Sequence, residues 1–259
     1  MRNDKKLISV KNLNFSYGKD MVLNNISLDI YKGKNIAIIG RNGGGKSTLV
    51  KLMLGFLKKK SGKIEYFIDK HKIGYLPQIR EFDTTFPINI FDLVISGLTK
   101  KSNLFKKFSK DDKKRVNNLL IEFGIEKLKN KLISEVSGGQ LQRALIARAL
   151  ISSPEILFLD EPESFLDKNF EFELYEKIKQ LSDSTIVVIS HELDKLCRYV
   201  DSIFIVEEEI RIFEDKNDFF KSDFAYGHIH NHKIWNFKNE KYEKINYKVK
   251  KSIYVKLNW

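Results

Sequence analysis

Gly40-Arg41-Asn42-Gly43-Gly44-Gly45-Lys46-Ser47-Thr48 is the stretch that decides the fold, because it fits the phosphate-binding pattern G-x-x-x-x-G-K-[ST]. The apolar run Asn35-Ile36-Ala37-Ile38-Ile39 leads directly into it, and a helical pattern, Ser47 to Leu54, leads out. A buried strand that ends in glycines and opens a helix aims a row of backbone N–H groups at one spot, where an anion belongs. Gly43, Gly44 and Gly45 let the backbone wrap a β-phosphate closely. Lys46 supplies a point charge to the β- and γ-phosphates, and the Ser47 hydroxyl suits Mg²⁺. A merely flexible glycine turn has no use for a lysine followed by two hydroxyl residues.

The segment before this loop alternates as strands do: Leu7 to Val10, Leu13 to Tyr17 and Ile26 to Ile30, broken by turns at Gly18-Lys19-Asp20 and Lys32-Gly33-Lys34. This predicts an N-terminal antiparallel sheet. Strands are also expected at Ser61 to Tyr66 and Ile73 to Gln78. From about Thr84 to Lys131 the pattern turns helical, with Ser109 as an N-cap, Asp112 at its third position, and Val116, Leu119, Leu120 and Phe123 at helical spacing until Gly124. Unbroken apolar runs return at Ile156 to Asp160 and Thr185 to Ser190, with a helix over Phe170 to Leu181 between them. Short apolar strands alternating with helices predict an α/β fold around a mostly parallel sheet buried on both faces.

Two further clusters carry chemistry. Leu157-Phe158-Leu159-Asp160-Glu161 places two carboxylates at the end of a buried strand. Asp160 can hold Mg²⁺, directly or through water, and Glu161 can orient and deprotonate an attacking water. In Val136-Ser137-Gly138-Gly139-Gln140, the serine and glutamine form a capping box for the helix Leu141 to Ile151. The two glycines inside that cap expose further N–H groups at the positive end of a helix dipole, a second anion site. One nucleotide cannot easily use both loops unless the second belongs to another copy.

The chain has 259 residues, 42% of them hydrophobic, enough for a sizeable core. It has no run of 18 apolar residues, and Met1 to Lys6 does not read as a signal-peptide core, so a cytosolic location is expected. The one cysteine, Cys197, suits a reducing compartment and reads as filler. Of the formal charge of +12, residues 228–259 contribute half, eight lysines against Glu240 and Glu243. Such a tail reads first as a solvated charged face, with nucleic acid, anionic lipid or an acidic partner as other readings. His228, His230 and His232 alternate there; on an extended strand they would share one side and could bind Zn²⁺, although a loop with surface histidines is the commoner arrangement.

Together these motifs resemble the ATPase subunit of the ATP-binding cassette transporters, over about Leu7 to Arg211. The resemblance implies a P-loop NTPase core with an N-terminal antiparallel β subdomain and an α-helical subdomain at about 84–150, all within an ATPase domain spanning 1–227, followed by the basic tail 228–259. It implies ATP and Mg²⁺, the latter at Ser47, Gln78 and Asp160. It implies a homodimer of cassettes stacked head to tail, each ATP enclosed by residues 40–48 of one copy and Ser137, Gly138, Gly139 and Gln140 of the other. By the same likeness Tyr17 stacks on adenine, Gln78 senses Mg²⁺ and signals to the membrane subunits, Asp167 crosses the dimer interface, and His191 contacts the γ-phosphate. The pattern departs from the family's usual form at Arg41, where proline is common, at Val136 for leucine, and at Glu163 and Phe165, where small residues are general.

Ile73 to Gln78, followed by Phe86 to Val94 and Gly97, resembles the zinc and manganese importers. That likeness implies integral membrane permease subunits, a separate extracytoplasmic substrate-binding protein, and a peripheral place on the cytoplasmic side of the cell membrane. A siderophore, haem or cobalamin importer is the nearest alternative. A nucleic-acid-associated cassette, which the charge would suit, generally carries two cassettes or long inserted arms, so no nucleic acid partner is expected.

Overall fold

The structure, a computed structural model, describes residues 5–98, 107–181, 183–191, 196–222 and 225. The elements below belong to the unit Met1–Lys221.

Strands β1 (Lys6–Tyr17), β2 (Asp20–Tyr31) and β4 (Ser61–Tyr66) form an antiparallel sheet in the order β2-β1-β4. Where the sequence predicts short separate strands, the structure has two long ones with register shifts. Asn12 (φ 49°) and Asn25 (φ 52°) take up the left-handed backbone at the irregularity, and Asn12 Nδ2 donates to Asn25 Oδ1 at 2.9 Å. Asparagine tolerates that conformation better than other residues with a Cβ, so the break in alternation is a bulge rather than a turn.

The second sheet has six strands in the order β5-β6-β7-β3-β8-β9: β5 (Ile73–Leu76), β6 (Ile156–Asp160), β7 (Thr185–Ile189), β3 (Ile36–Ile39), β8 (Ser202–Glu207) and β9 (Glu209–Phe213). All neighbours are parallel except β9, which turns back on β8. Every residue of β3, β6 and β7 is buried, as their unbroken apolar runs require of central parallel strands. Phe158, wholly buried in β6, is one anchor of a core shared with the antiparallel sheet; truncating it to alanine would cost about 3–5 kcal/mol. Pro77 follows β5 and cannot donate to the ladder, so the strand stops at Leu76, two residues short of the expected Gln78.

Helices α1 (Lys46–Leu54), α4 (Gly138–Leu150) and α5 (Lys168–Gln180) flank the strands in sequence, while α2 (Ile90–Ile95) and α3 (Lys110–Glu122) lie in the helical stretch. That stretch holds less helix than its periodicity suggests, for the described residues around α2 and α3 include turns and short 3₁₀ segments. Ser109 and Asp112 cap α3 reciprocally, at 3.1 and 2.9 Å, and Ser137 and Gln140 do the same for α4, at 3.4 and 3.0 Å. Val116 and Leu120 are the buried residues of α3, and Phe123, which follows it as the C-cap, is buried as well. Cys197 is buried. Among the described residues no helix is long and apolar enough to cross a membrane.

Candidate active site

Because β5, β6, β7, β3 and β8 are parallel neighbours, their C-terminal ends open on one edge of the sheet, where ligands of open α/β sheets bind. The sequence places Gln78 just after β5, Asp160 and Glu161 at the end of β6, Ser190 and His191 after β7, the 40–48 loop after β3, and Glu207 at the end of β8.

Two glycines of the loop meet opposite demands. At Gly40 (φ 137°) an added Cβ would lie 2.3 Å from the Val206 carbonyl oxygen, so β8 itself forbids a side chain. At Gly43 (φ 79°) the space is open, and the backbone conformation alone selects glycine. Gly45 is the N-cap of α1, with no side-chain cap and no acid in the first turn. The first N–H groups of α1 therefore point from an uncapped positive helix end, a donor set suited to phosphate oxygens. Lys46 is buried, and its ammonium donates to the carbonyls of Gly40 (2.9 Å) and Arg41 (2.8 Å). Burial pulls its pKa below the ordinary lysine value, while the carboxylates of Glu161, Asp160 and Glu207 act to raise it. Ser47 and Thr48 are half-buried in the first turn of α1; Arg41, Asn42 and Gly43 are exposed.

Asp160 is wholly buried, and Gln78 Nε2 donates to its Oδ1 at 3.2 Å. The hydroxyl of Ser47, the amide oxygen of Gln78 and the carboxylate of Asp160 are hard oxygen donors of the kind Mg²⁺ takes, so this donor set fits the ion. Glu161 has a left-handed backbone (φ 50°), and its N–H donates to the Ile189 carbonyl at 2.9 Å. Its Oε1 lies 3.2 Å from His191 Nε2, across the ends of β6 and β7. A carboxylate so oriented, beside a phosphate-binding loop, can accept a proton from water.

The Ser137–Gln140 turn lies against the loop 161–167. A Cβ on Gly138 would fall 3.0 Å from Phe165 Cδ1, and one on Gly139 2.8 Å from the Phe165 carbonyl oxygen. Phe165 itself is left-handed (φ 65°) and exposed. Asp167 caps α5, accepting from the N–H groups of Asn169 (3.1 Å) and Phe170 (2.9 Å), and lies 3.2 Å from the Arg143 guanidinium. The Phe170 N–H, first, holds its pKa below the ordinary carboxylate value. Tyr17, at the end of β1, is half exposed and meets Phe15 edge-on at 4.8 Å. His228, His230 and His232 lie outside the described residues.

Glu207, which the motifs do not mark, meets the 40–48 loop from the end of β8. Its Oε1 accepts from the Arg41 N–H at 3.3 Å and lies 3.7 Å from the guanidinium. The apolar run Ile203 to Val206 ending in an acid was the available signal, the same as that of β6.

A phosphate loop, a carboxylate pair and a histidine on one edge of a parallel sheet define a nucleotide-hydrolysing α/β cassette. Residues 23–164 match the family described as ABC transporter, and the chain belongs to that family. It binds ATP and is an ATPase. It is 38% identical over 218 residues to the zinc uptake system ATP-binding protein ZurA of Listeria monocytogenes, covering 80% of this chain and 84% of that one. It is 36% identical over 231 residues to the manganese transport system ATP-binding protein MntB of the same organism, covering 85% and 96%. Among solved structures, it is similar to an ABC transporter seen inward-facing and assigned to the metal-chelate type, with TM-score 0.74 and 28% identity over 87% of this chain and 90% of that one. A nucleotide-free ATP-binding cassette shares the fold at TM-score 0.70 and 21% identity, over 86% and 98%.

Proposed function

We propose that this chain is the ATP-hydrolysing subunit of an importer for a divalent metal ion, zinc or manganese. The observation that carries the ATPase mechanism is the meeting of Lys46, Asp160, Glu161 and His191 on one sheet edge; the metal rests on likeness to the zinc and manganese systems. The N–H groups of residues 40–48 and the Lys46 ammonium bind the β- and γ-phosphates, and Tyr17 stacks on the adenine. Ser47, Gln78 and Asp160 would hold Mg²⁺, which when bound neutralises charge developing on the phosphate oxygens. Glu161 takes a proton from the attacking water as its oxygen bonds to the γ-phosphorus and the bond to the β-phosphate oxygen breaks. His191 contacts the γ-phosphate and steadies Glu161.

Two copies form a head-to-tail dimer, with Ser137 to Gln140 of each completing the other's site and Asp167 at the interface. The cassette, 1–227 with its helical part at about 84–150, docks on permease subunits at the cytoplasmic side of the cell membrane, and a separate binding protein delivers the metal. The tail, 228–259, adds charge or regulation, so its removal leaves ATP binding intact. Cells lacking the chain should grow poorly under zinc or manganese limitation and recover when the metal is added. Unaltered uptake of both metals with a defect in iron-chelate uptake would transfer the assignment to a metal-chelate importer, the reading that the metal-chelate type neighbour favours.

A further inference from the structure

Glu163 stands where the family pattern generally has a small residue, and its side chain is engaged on both oxygens. Ser190 Oγ donates to its Oε1 in a short hydrogen bond, and Tyr175 Oη donates to its Oε2 at 3.1 Å. Both donors are buried, Ser190 just after β7 and Tyr175 on α5, where its ring stacks on Tyr199 at 5.2 Å between centroids. Two carboxylate hydrogen bonds to buried hydroxyls are a strong local anchor, since bonds to a charged group are worth about twice neutral ones.

What that anchor holds is more than a loop. Ser190 is the chain neighbour of His191, His191 Nε2 lies 3.2 Å from Glu161 Oε1, and Glu161 stands two residues before Glu163. The four residues close a circuit: Glu161 to Glu163 through the chain, Glu163 to Ser190 through a hydrogen bond, Ser190 to His191 through the chain, and His191 back to Glu161. The Glu161 N–H bond to Ile189 adds a second tie between the same two strand ends. Within the loop, the Pro162 carbonyl accepts from the buried Gln142 amide at 2.8 Å, so α4 holds it from the other side.

We propose that Glu163 is a positioning residue for ATP hydrolysis: by tying the loop after β6 to Ser190 it fixes the distance and angle between Glu161 and His191. This rests on Glu161 being the general base. Misplacing a reacting group by about 1 Å can cost on the order of 10²-fold in rate, whereas nucleotide binding depends on residues 40–48, which Glu163 does not touch through these bonds.

The test is steady-state ATP hydrolysis by the full chain, with its membrane subunits if the isolated chain is slow. Glu163→Ala should lower kcat roughly 10- to 100-fold while KM and Kd for ATP stay within about twofold. Glu163→Gln, whose carbonyl still accepts from Ser190 and whose amide can donate to Tyr175, should recover most of the rate. Ser190→Ala removes only a hydroxyl and should reproduce the kcat loss even if Glu163→Ala fails to fold. The double variant should be little slower than either single one, since both break the same link. A Ser190→Ala protein turning over at the wild-type rate, or losses in the two single variants that simply multiply in the double, would overturn the proposal. If Glu161→Gln is inactive while Glu163→Ala and Ser190→Ala run at full rate, positioning alone has failed. If Glu161→Gln itself runs at full rate, the underlying base assignment has failed.

Discussion

The loops 40–48 and 161–167 both bend the backbone into left-handed conformations at the end of a central strand, but they do it with opposite materials. In the first, the left-handed positions Gly40, Gly43 and Gly45 are all glycines. In the second they are Glu161 and Phe165, which carry side chains at roughly 1–2 kcal/mol of conformational cost each. No left-handed position of the first loop carries a side chain to strain, and Lys46 closes the loop by donating to the Gly40 and Arg41 carbonyls. The second keeps its shape because Glu163, Gln142 and the Asp167 cap hold it, which is how strain persists at a functional site. A backbone cradle is built to receive an anion; a side-chain harness is built to place a carboxylate.

The two loops should differ most at Gly40. Its alanine variant should lose roughly 3 kcal/mol of stability or more, since the new Cβ would lie 2.3 Å from Val206 O as well as straining the backbone. Gly43→Ala, with open space around it, should lose only about 1–2 kcal/mol. Equal midpoints for the two variants in chemical denaturation would show that β8 does not constrain the loop. Next, Lys46→Ala should weaken ATP binding about 10- to 100-fold, the loss of charge-assisted bonds worth roughly 1.5–3 kcal/mol. Unchanged affinity in a titration would remove Lys46 from phosphate binding.

Phe165→Gly should shift stability by less than about 1 kcal/mol, relief of strain offsetting the greater entropy of the unfolded glycine. A larger loss would mean that the ring on Gly138 is a structural contact in its own right. The smallest effect is with acid. The Asp167 pKa is lowered in the fold, so its contribution is full above the ordinary carboxylate pKa and is lost as pH falls through the lowered value. The melting-temperature gap between wild type and Asp167→Ala should therefore close on acidification; a gap that persists would mean that the charge of Asp167 does not matter to the cap.

The same contrast explains what was legible in the sequence. Residues 40–48 announce themselves, because each geometric demand selects a residue type, and the apolar runs of β3, β6 and β7 announce central strands because burial on both faces leaves no room for polar alternation. The Ser137–Gln140 cap was legible for the same local reason. The circuit through Glu163 was not, since Ser190 and Tyr175 reach it from 27 and 12 residues away and only the fold brings them together. Glu207 was hidden similarly, through parallel pairing of β8 with β3. The bulge at Asn12 and Asn25 joins Leu7–Val10 and Leu13–Tyr17 into one strand and lets β2 begin at Asp20 rather than at Ile26, because a break in alternation does not by itself end a strand.

The most direct measurement is ATP turnover and ATP binding by Glu161→Gln, which keeps the size of the side chain and removes its capacity to take a proton. Turnover should fall at least about a hundredfold, with ATP still bound and the protein dimerising in ATP and Mg²⁺ more readily than the wild type. Hydrolysis at the wild-type rate would mean that Glu161 is not the general base and that the harness around residues 161–167 holds the wrong carboxylate.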